Sequence, residues 1–408
     1  MEDPANQPIH LLNRRQMLGG IGAVAGSALL VACQRAAPTG SAPAAPVSLG
    51  GLSGEAMQVW NETLAAARVE GEVNIYGAQA GGIGIRALTD PFESSYPGIK
   101  VNGTFAPSQD LVPRLVAEHD AKKFIADVIV GPATQSVFVL KPAGVLGPLE
   151  PALLLPEVTN TSLWLDNKLW WIDSTLPYTT LRFQGYITAT VTYNTQQVDV
   201  KQFTSFKDLL DPKWKGKFVA NDIRQPGRGG NQVRFVYDHP DLGPGFLERL
   251  IGDQEVVFSS DQRQMIDWLA QGRYLLGLWV SSTQLKVAVD QGLPVAELPG
   301  LTFKEGAPVG AGGGTVNIVA NAPHPNAAKV FINWILSRDG QINWQETVQQ
   351  PSLRQDIPRG DLEAAIIPLQ DKPHSDGGTE EFFTRISDDD IRAVVEKALD
   401  RRPPSSSS

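Results

Sequence analysis

Between residues 73 and 143 the chain alternates short β-branched runs, small-residue turns and helix-like stretches, and this alternation limits the fold more than any other feature. Val73-Asn74-Ile75-Tyr76 reads as a strand, residues 77–84 as a glycine-rich turn, and a helix through Ala87 and Phe92 stops at Tyr96-Pro97-Gly98. Further strands are expected at 100–105 and 126–130, with helices at 111–123 and 135–143. Strands separated by helices build a parallel sheet covered on both faces. Ahead of this series Ser53 caps a helix over about 55–69, which Gly71 ends.

The pattern begins again further on. A strand-rich stretch at 185–193 leads to a Ser205-capped helix at 206–210, a turn at 211–216 and a strand at 217–220. Helices at 231–237 and 261–270 then alternate with strands at 255–258 and 274–279, and a last pair follows at 315–320 and 325–336, where Pro325 suits the first helical turn. The fold class is therefore α/β, in two lobes. With 42% hydrophobic residues in 408 there is enough apolar chain for two cores, and a net charge of -9 opposes a nucleic-acid binder that needs a broad basic face. A single cysteine, Cys33, excludes internal disulfides and cysteine-based zinc or iron–sulfur sites.

Cys33 has a different use. Arg14-Arg15 precede thirteen uncharged residues, 19–31, and the run ends in Leu30-Val31-Ala32-Cys33. It is too short and too glycine-rich for a membrane span, which needs about 20 apolar residues. The segment resembles a twin-arginine export signal, with departures at Asn13, Met17 and Gly19, and its end resembles a lipobox whose cysteine is acylated. Residues 1–32 are thus expected to be a signal peptide, 33–54 a lipidated cysteine and flexible tether, and 401–408 a disordered tail.

Several stretches resemble the extracytoplasmic solute-binding proteins of ABC importers, in the type II class that includes ferric-ion and small-organic-ligand binders. They are Ala126-Asp127-Val128-Ile129-Val130-Gly131, Ala143-Gly144-Val145-Leu146, Tyr193-Asn194-Thr195, the run 208–217, and Pro323-His324-Pro325-Asn326-Ala327-Ala328-Lys329 with Ser337-Arg338-Asp339-Gly340-Gln341. The resemblance implies a two-lobed periplasmic-binding-protein-like fold, each lobe a central sheet flanked by helices, with a cleft that closes on a solute. It implies lobe 1 at 68–188 plus 299–335 and lobe 2 at 189–298 plus 336–400. It also implies no enzymatic activity and no cofactor. The protein is then expected to be a monomer in the periplasm or on the outer cell face, lipid-anchored to the membrane, with ABC permease subunits as partners and no nucleic acid.

Open α/β sheets bind ligands at the carboxyl ends of their strands. The candidate loops carry Gln79 and Ala80, then Gly131 and Thr134, then Arg224, Arg228, Gly229 and Asn231, and in the returning segment Gly313 and Thr315. Their glycines permit close approach to backbone, and Arg224 and Arg228 could fork onto a carboxylate, phosphate or phosphonate, so an anionic solute is one expectation. None of these loops has the spacing of a nucleotide-binding motif. Ferric-binding members commonly place two adjacent tyrosines where this chain reads Trp279-Val280-Ser281-Ser282-Thr283, and no Tyr-Tyr pair occurs. Trp279, Ser281 and Ser282 are kept as ligand candidates, and no metal site is expected. Ferric or other metal binding through scattered residues such as Tyr76, Tyr178 or Tyr193 is the alternative within the class. From other classes, a secreted hydrolase lacks an HExxH or GxSxG arrangement, and a sensory lipoprotein of the same fold is not separable by sequence.

Overall fold

Ser53 accepts the Ala56 N–H and opens a helix, Gly54–Glu70, that ends where Gly71 takes a left-handed conformation at φ 78°. Its buried stripe of Trp60, Thr63 and Ala67 packs on the helix Pro325–Leu336, so the start of the described chain and a late segment share one core. The computed structural model describes residues 53–78, 85–225 and 230–402.

The first sheet runs in the order Lys100–Phe105, Glu72–Gly77, Val128–Val130, Thr315–Ile318, Leu181–Arg182, Trp170–Trp171. Its three early strands are parallel, with Ile75 opposite both Gly103 and Val128. The expected all-parallel sheet is corrected beyond them: Thr315–Ile318 returns from the far lobe and lies antiparallel to Val128–Val130, Val316 facing Val130. The second sheet, in the order Val295–Glu297, Val191–Asn194, Leu276–Leu278, Phe218–Asn221, Val257–Ser259, is likewise mixed. Each sheet has its own apolar core, one built around Phe92, Phe331, Trp334 and Trp344, the other around Phe206, Phe218, Leu250 and Val395.

Between the lobes the chain crosses on two extended segments. Tyr186–Ile187 pairs antiparallel with Ala307–Gly310, and the short strand His374–Ser375 joins the other edge of Ala307–Gly310. The return at residue 336 differs from the expected boundary. The helix Arg338–Val348 packs on Pro325–Leu336, and Trp344 and Leu353 complete the first core, whereas Ile386, Ile391, Val394 and Ala398 complete the second. The apolar face of Arg338–Val348 decides this, because Trp344 fills space against Phe183. The helix expected at 135–143 is a single α turn, Ala133–Gln135, running into a π-helical turn, Ser136–Leu140. Helices Gly243–Gly252 and Ser282–Asp290 were not anticipated.

Candidate functional site

The carboxyl ends of the first-sheet strands converge on one spot. A Cβ on Gly131 would sit 3.1 Å from the Gly313 carbonyl oxygen and 3.3 Å from the Ala78 Cβ, so three of the four expected loops meet around this glycine, whose φ of 67° suits no larger residue well. The loops are held from behind. Ser136 donates to the Pro132 carbonyl at 2.7 Å and to Asn317 Oδ1 at 3.2 Å, while Asn317 donates to the Thr179 carbonyl at 2.9 Å. Under the returning loop, Gln184 donates to the Ala311 carbonyl at 3.0 Å and accepts the Trp344 indole N–H at 2.7 Å. Gly314 lies so close to the Gln184 side chain that any Cβ would overlap it. The loop is thus fixed on buried amides, leaving its upper face free for a ligand.

The second lobe faces this platform through Asn231 and Gln232 in the first turn of the helix Gly230–Asp238, and Gln232 is tied to the crossing segment by donating to the Ala189 carbonyl at 2.8 Å. A cleft of about 450 Å³ lies between, within the usual range for small-ligand sites. Its lining joins Thr134 and Gln135 of the first lobe, Tyr186 and Thr188 of the crossing segment, and Asn231 of the second lobe. No residue of formal charge lines it among the described residues. Burial, reinforced by the nearby Glu297 carboxylate, pushes the Tyr186 hydroxyl above the ordinary tyrosine range, so at neutral pH it is a neutral donor. The C-terminal segment supplies the remaining wall. Phe383 meets Phe138 of the first lobe edge-on at 6.3 Å and lies 5.2 Å from the Arg234 guanidinium of the second.

Of the sequence candidates, Thr134, Asn231 and Gly313 line the cleft, and Gly131 lies beneath it. Thr315 is fully buried one strand from Arg182. Arg224 is not among the described residues lining the cleft: its Nε and Nη2 donate to the two Asp222 oxygens at 2.7 and 2.8 Å, and its guanidinium lies near the Phe258 ring. Trp279 is 3% exposed in the second core and packs rather than stacks on a ligand. Ser281 caps the helix Ser282–Asp290, and Ser282 opens onto a different cavity. Gln79, Ala80, Arg228, Gly229 and Cys33 lie outside the described residues. Of the tyrosines named for a metal, Tyr76 is engaged by Arg114 and Glu118 and Tyr178 stacks on Trp171, and neither they nor Tyr193 line the cleft. Sequence reading missed Tyr186, Thr188 and Phe383. An extended run with alternating residues at 186–189 could have signalled the first two.

Two lobes joined by paired crossing segments, with a polar cleft at the ends of both sheets, define a solute-binding protein. The chain belongs to the bacterial extracellular solute-binding protein family, whose model matches residues 78–342. That family comprises substrate-binding transport proteins. Among solved structures, an iron- and citrate-bound IdiA/FutA protein from Trichodesmium is similar at 20% identity, TM-score 0.58, over 80% of this chain and 99% of that one. A Bordetella ferric binding protein aligns at 18% identity, TM-score 0.58, over 80% and 98%. An extracellular solute-binding protein described from Bordetella parapertussis aligns at 15%, TM-score 0.58, over 81% and 98%. These likenesses concern the fold. A search of curated proteins finds no match.

Proposed function

We propose that this solute-binding protein captures a small polar, uncharged solute such as a sugar or polyol by closing its lobes, and presents it to an ABC permease from a lipid anchor. The observation that carries the reading is the cleft itself, where hydroxyl, amide and backbone groups of both lobes face one space with an aromatic wall at Phe383. Such groups exchange hydrogen bonds with a polyhydroxy ligand, and an aromatic face covers its C–H surface. A ligand that touches both lobes favours the closed state by its extra contacts there. The anionic reading loses Arg224 to Asp222. Ferric ion favours several anionic oxygen donors, and the described cleft lining offers one tyrosine, Tyr186, and no carboxylate.

The leader readings stay with the sequence. Arg14-Arg15 ahead of a weakly apolar run supports twin-arginine export, and the Leu30-Val31-Ala32-Cys33 ending supports acylation of Cys33 and a place on the outer face of the membrane. Changing Cys33→Ala should release the protein from membranes, and continued membrane fractionation would refute the anchor. Changing Arg14→Lys with Arg15→Lys should block export, and unchanged export would refute the route.

A thermal-shift screen of the protein against sugars, polyols, organic acids, phosphate esters and ferric salts tests the ligand class. Binding to the folded state alone adds about 2.7 kcal/mol of stability at a hundredfold excess over Kd. Stabilisation by a neutral polyhydroxy compound is expected. Stabilisation by ferric ion or anions alone would overturn the reading.

A further inference from the structure

Residues 186–189 separate two cavities. Tyr186 and Thr188 face the cleft, while Ile187 and Ala189 line a second groove, of about 690 Å³, on the opposite side of the same strand. One wall of this groove comes from the second lobe, through Ser282, Leu285 and Val289 of the helix Ser282–Asp290 and Glu297 of Val295–Glu297. The other is formed by Val348 at the end of a helix packed in the first core, together with Leu362 and Ile366.

The groove is apolar in its walls and negative in its field. Glu297 accepts a hydrogen bond from the Ser282 hydroxyl, and burial, with Glu363 nearby, pushes its carboxyl above the ordinary range. Asp361 and Glu363 stand at the rim and make no ion pair among the described residues. Lys286, the one cationic residue in the described lining, has its Nζ 3.2 Å from Asp290, one turn along its helix. A desolvated carboxylate is relieved by a cation, and aliphatic walls favour one that carries hydrocarbon. Bare metal ions fit less well, since the described acidic residues form no converging group of three.

We propose that the groove behind the crossing strand is a second ligand site, for a small amphipathic organic cation such as an arylalkylamine. The ammonium pairs with Glu297 inside the field of Asp361 and Glu363, and the hydrocarbon lies along Leu285, Val289 and Ile366. Because the two walls belong to different lobes, the occupant bridges the hinge on the side away from the solute. Rotation of the lobes about the crossing strands moves the cleft and the groove in opposite senses, so occupancy of one site is linked to the width of the other.

The test is calorimetric titration of the full chain with phenethylamine, phenylacetate and benzyl alcohol. Phenethylamine is expected to bind about tenfold or more tightly than the other two, and Glu297→Gln is expected to lose about tenfold or more of that affinity while melting no lower than the parent at neutral pH. Equal affinity for phenylacetate, no binding of the amine at millimolar concentration, or an affinity unaltered by Glu297→Gln each overturn the proposal. If Glu297→Gln does not fold, Glu363→Gln is read instead, with about a threefold loss expected and an unaltered affinity overturning it. The solute reading is tested separately by the screen with sugars and polyols, so failure of the amine to bind at Glu297 leaves it standing.

Discussion

The two sides of the crossing strand offer opposite chemistry from adjacent residues. Tyr186 and Thr188 look into a cleft of hydroxyls, amides and glycine backbone, whereas Ile187 and Ala189 look into a groove of aliphatic side chains edged with carboxylates. Recognition on the front depends on fixed polar groups at the ends of two sheets. Recognition at the back depends on a low-dielectric surface around one buried acid. A single strand can serve both because its side chains alternate, and the two surfaces stay coupled where the Glu297 carboxylate bears on the Tyr186 hydroxyl.

The largest effect expected from separating them is on stability. Ile187 is 3% exposed, and Ile187→Ala should cost about 2–5 kcal/mol by leaving a cavity, while Thr188→Ala on the front stays within about 0.5 kcal/mol of the parent. Denaturant unfolding of both variants checks this, and similar costs would erase the distinction between the faces. Next in size is Gly314→Ala. Its Cβ would enter the Gln184 side chain, so a loss of about 1–3 kcal/mol in the same measurement is expected, with weaker solute binding as the returning loop shifts.

A smaller effect isolates recognition from folding. Asn231→Ala removes one neutral amide from the cleft and should cost about 0.5–1.5 kcal/mol of solute binding by calorimetry, at unchanged melting temperature. The least of the four is a slope rather than a step. Burial raises the Glu297 carboxyl above its ordinary 4.5, so the folded chain holds that proton longer than the unfolded one. The stability it contributes is complete below the unfolded value and fades as pH rises through the folded value. Relative to Glu297→Gln, the parent should lose melting temperature as pH rises above the ordinary carboxylate range, and parallel curves would refute the desolvation of that acid.

Local signals reached as far as local causes extend. The strand at 100–105 is found as read because Pro97-Gly98 stops the helix before it, and Ser205 caps its short helix through a reciprocal pair with Asp208. Arg224 pairs with Asp222, two residues earlier, an ion pair across a turn that a tally of charges in the loop does not reveal. The antiparallel return of Thr315–Ile318 and the placement of 336–353 in the first core depend on contacts across more than a hundred residues, which periodicity does not carry. Phe383 at the cleft is of the same kind. It arrives there because the Glu380 N–H donates to the Ile172 carbonyl and Phe138 receives its ring.

Both cores are closed by the end of the chain. Trp344 and Leu353 complete the first, and Val394, Val395 and Ala398 the second, where Gly252 admits the Ala398 backbone at close range. A growing polypeptide therefore lacks one side of the first core until Leu353 has been added and one side of the second until Ala398. Its period of greatest exposure is the whole of its own synthesis. Chaperones have that interval in which to act.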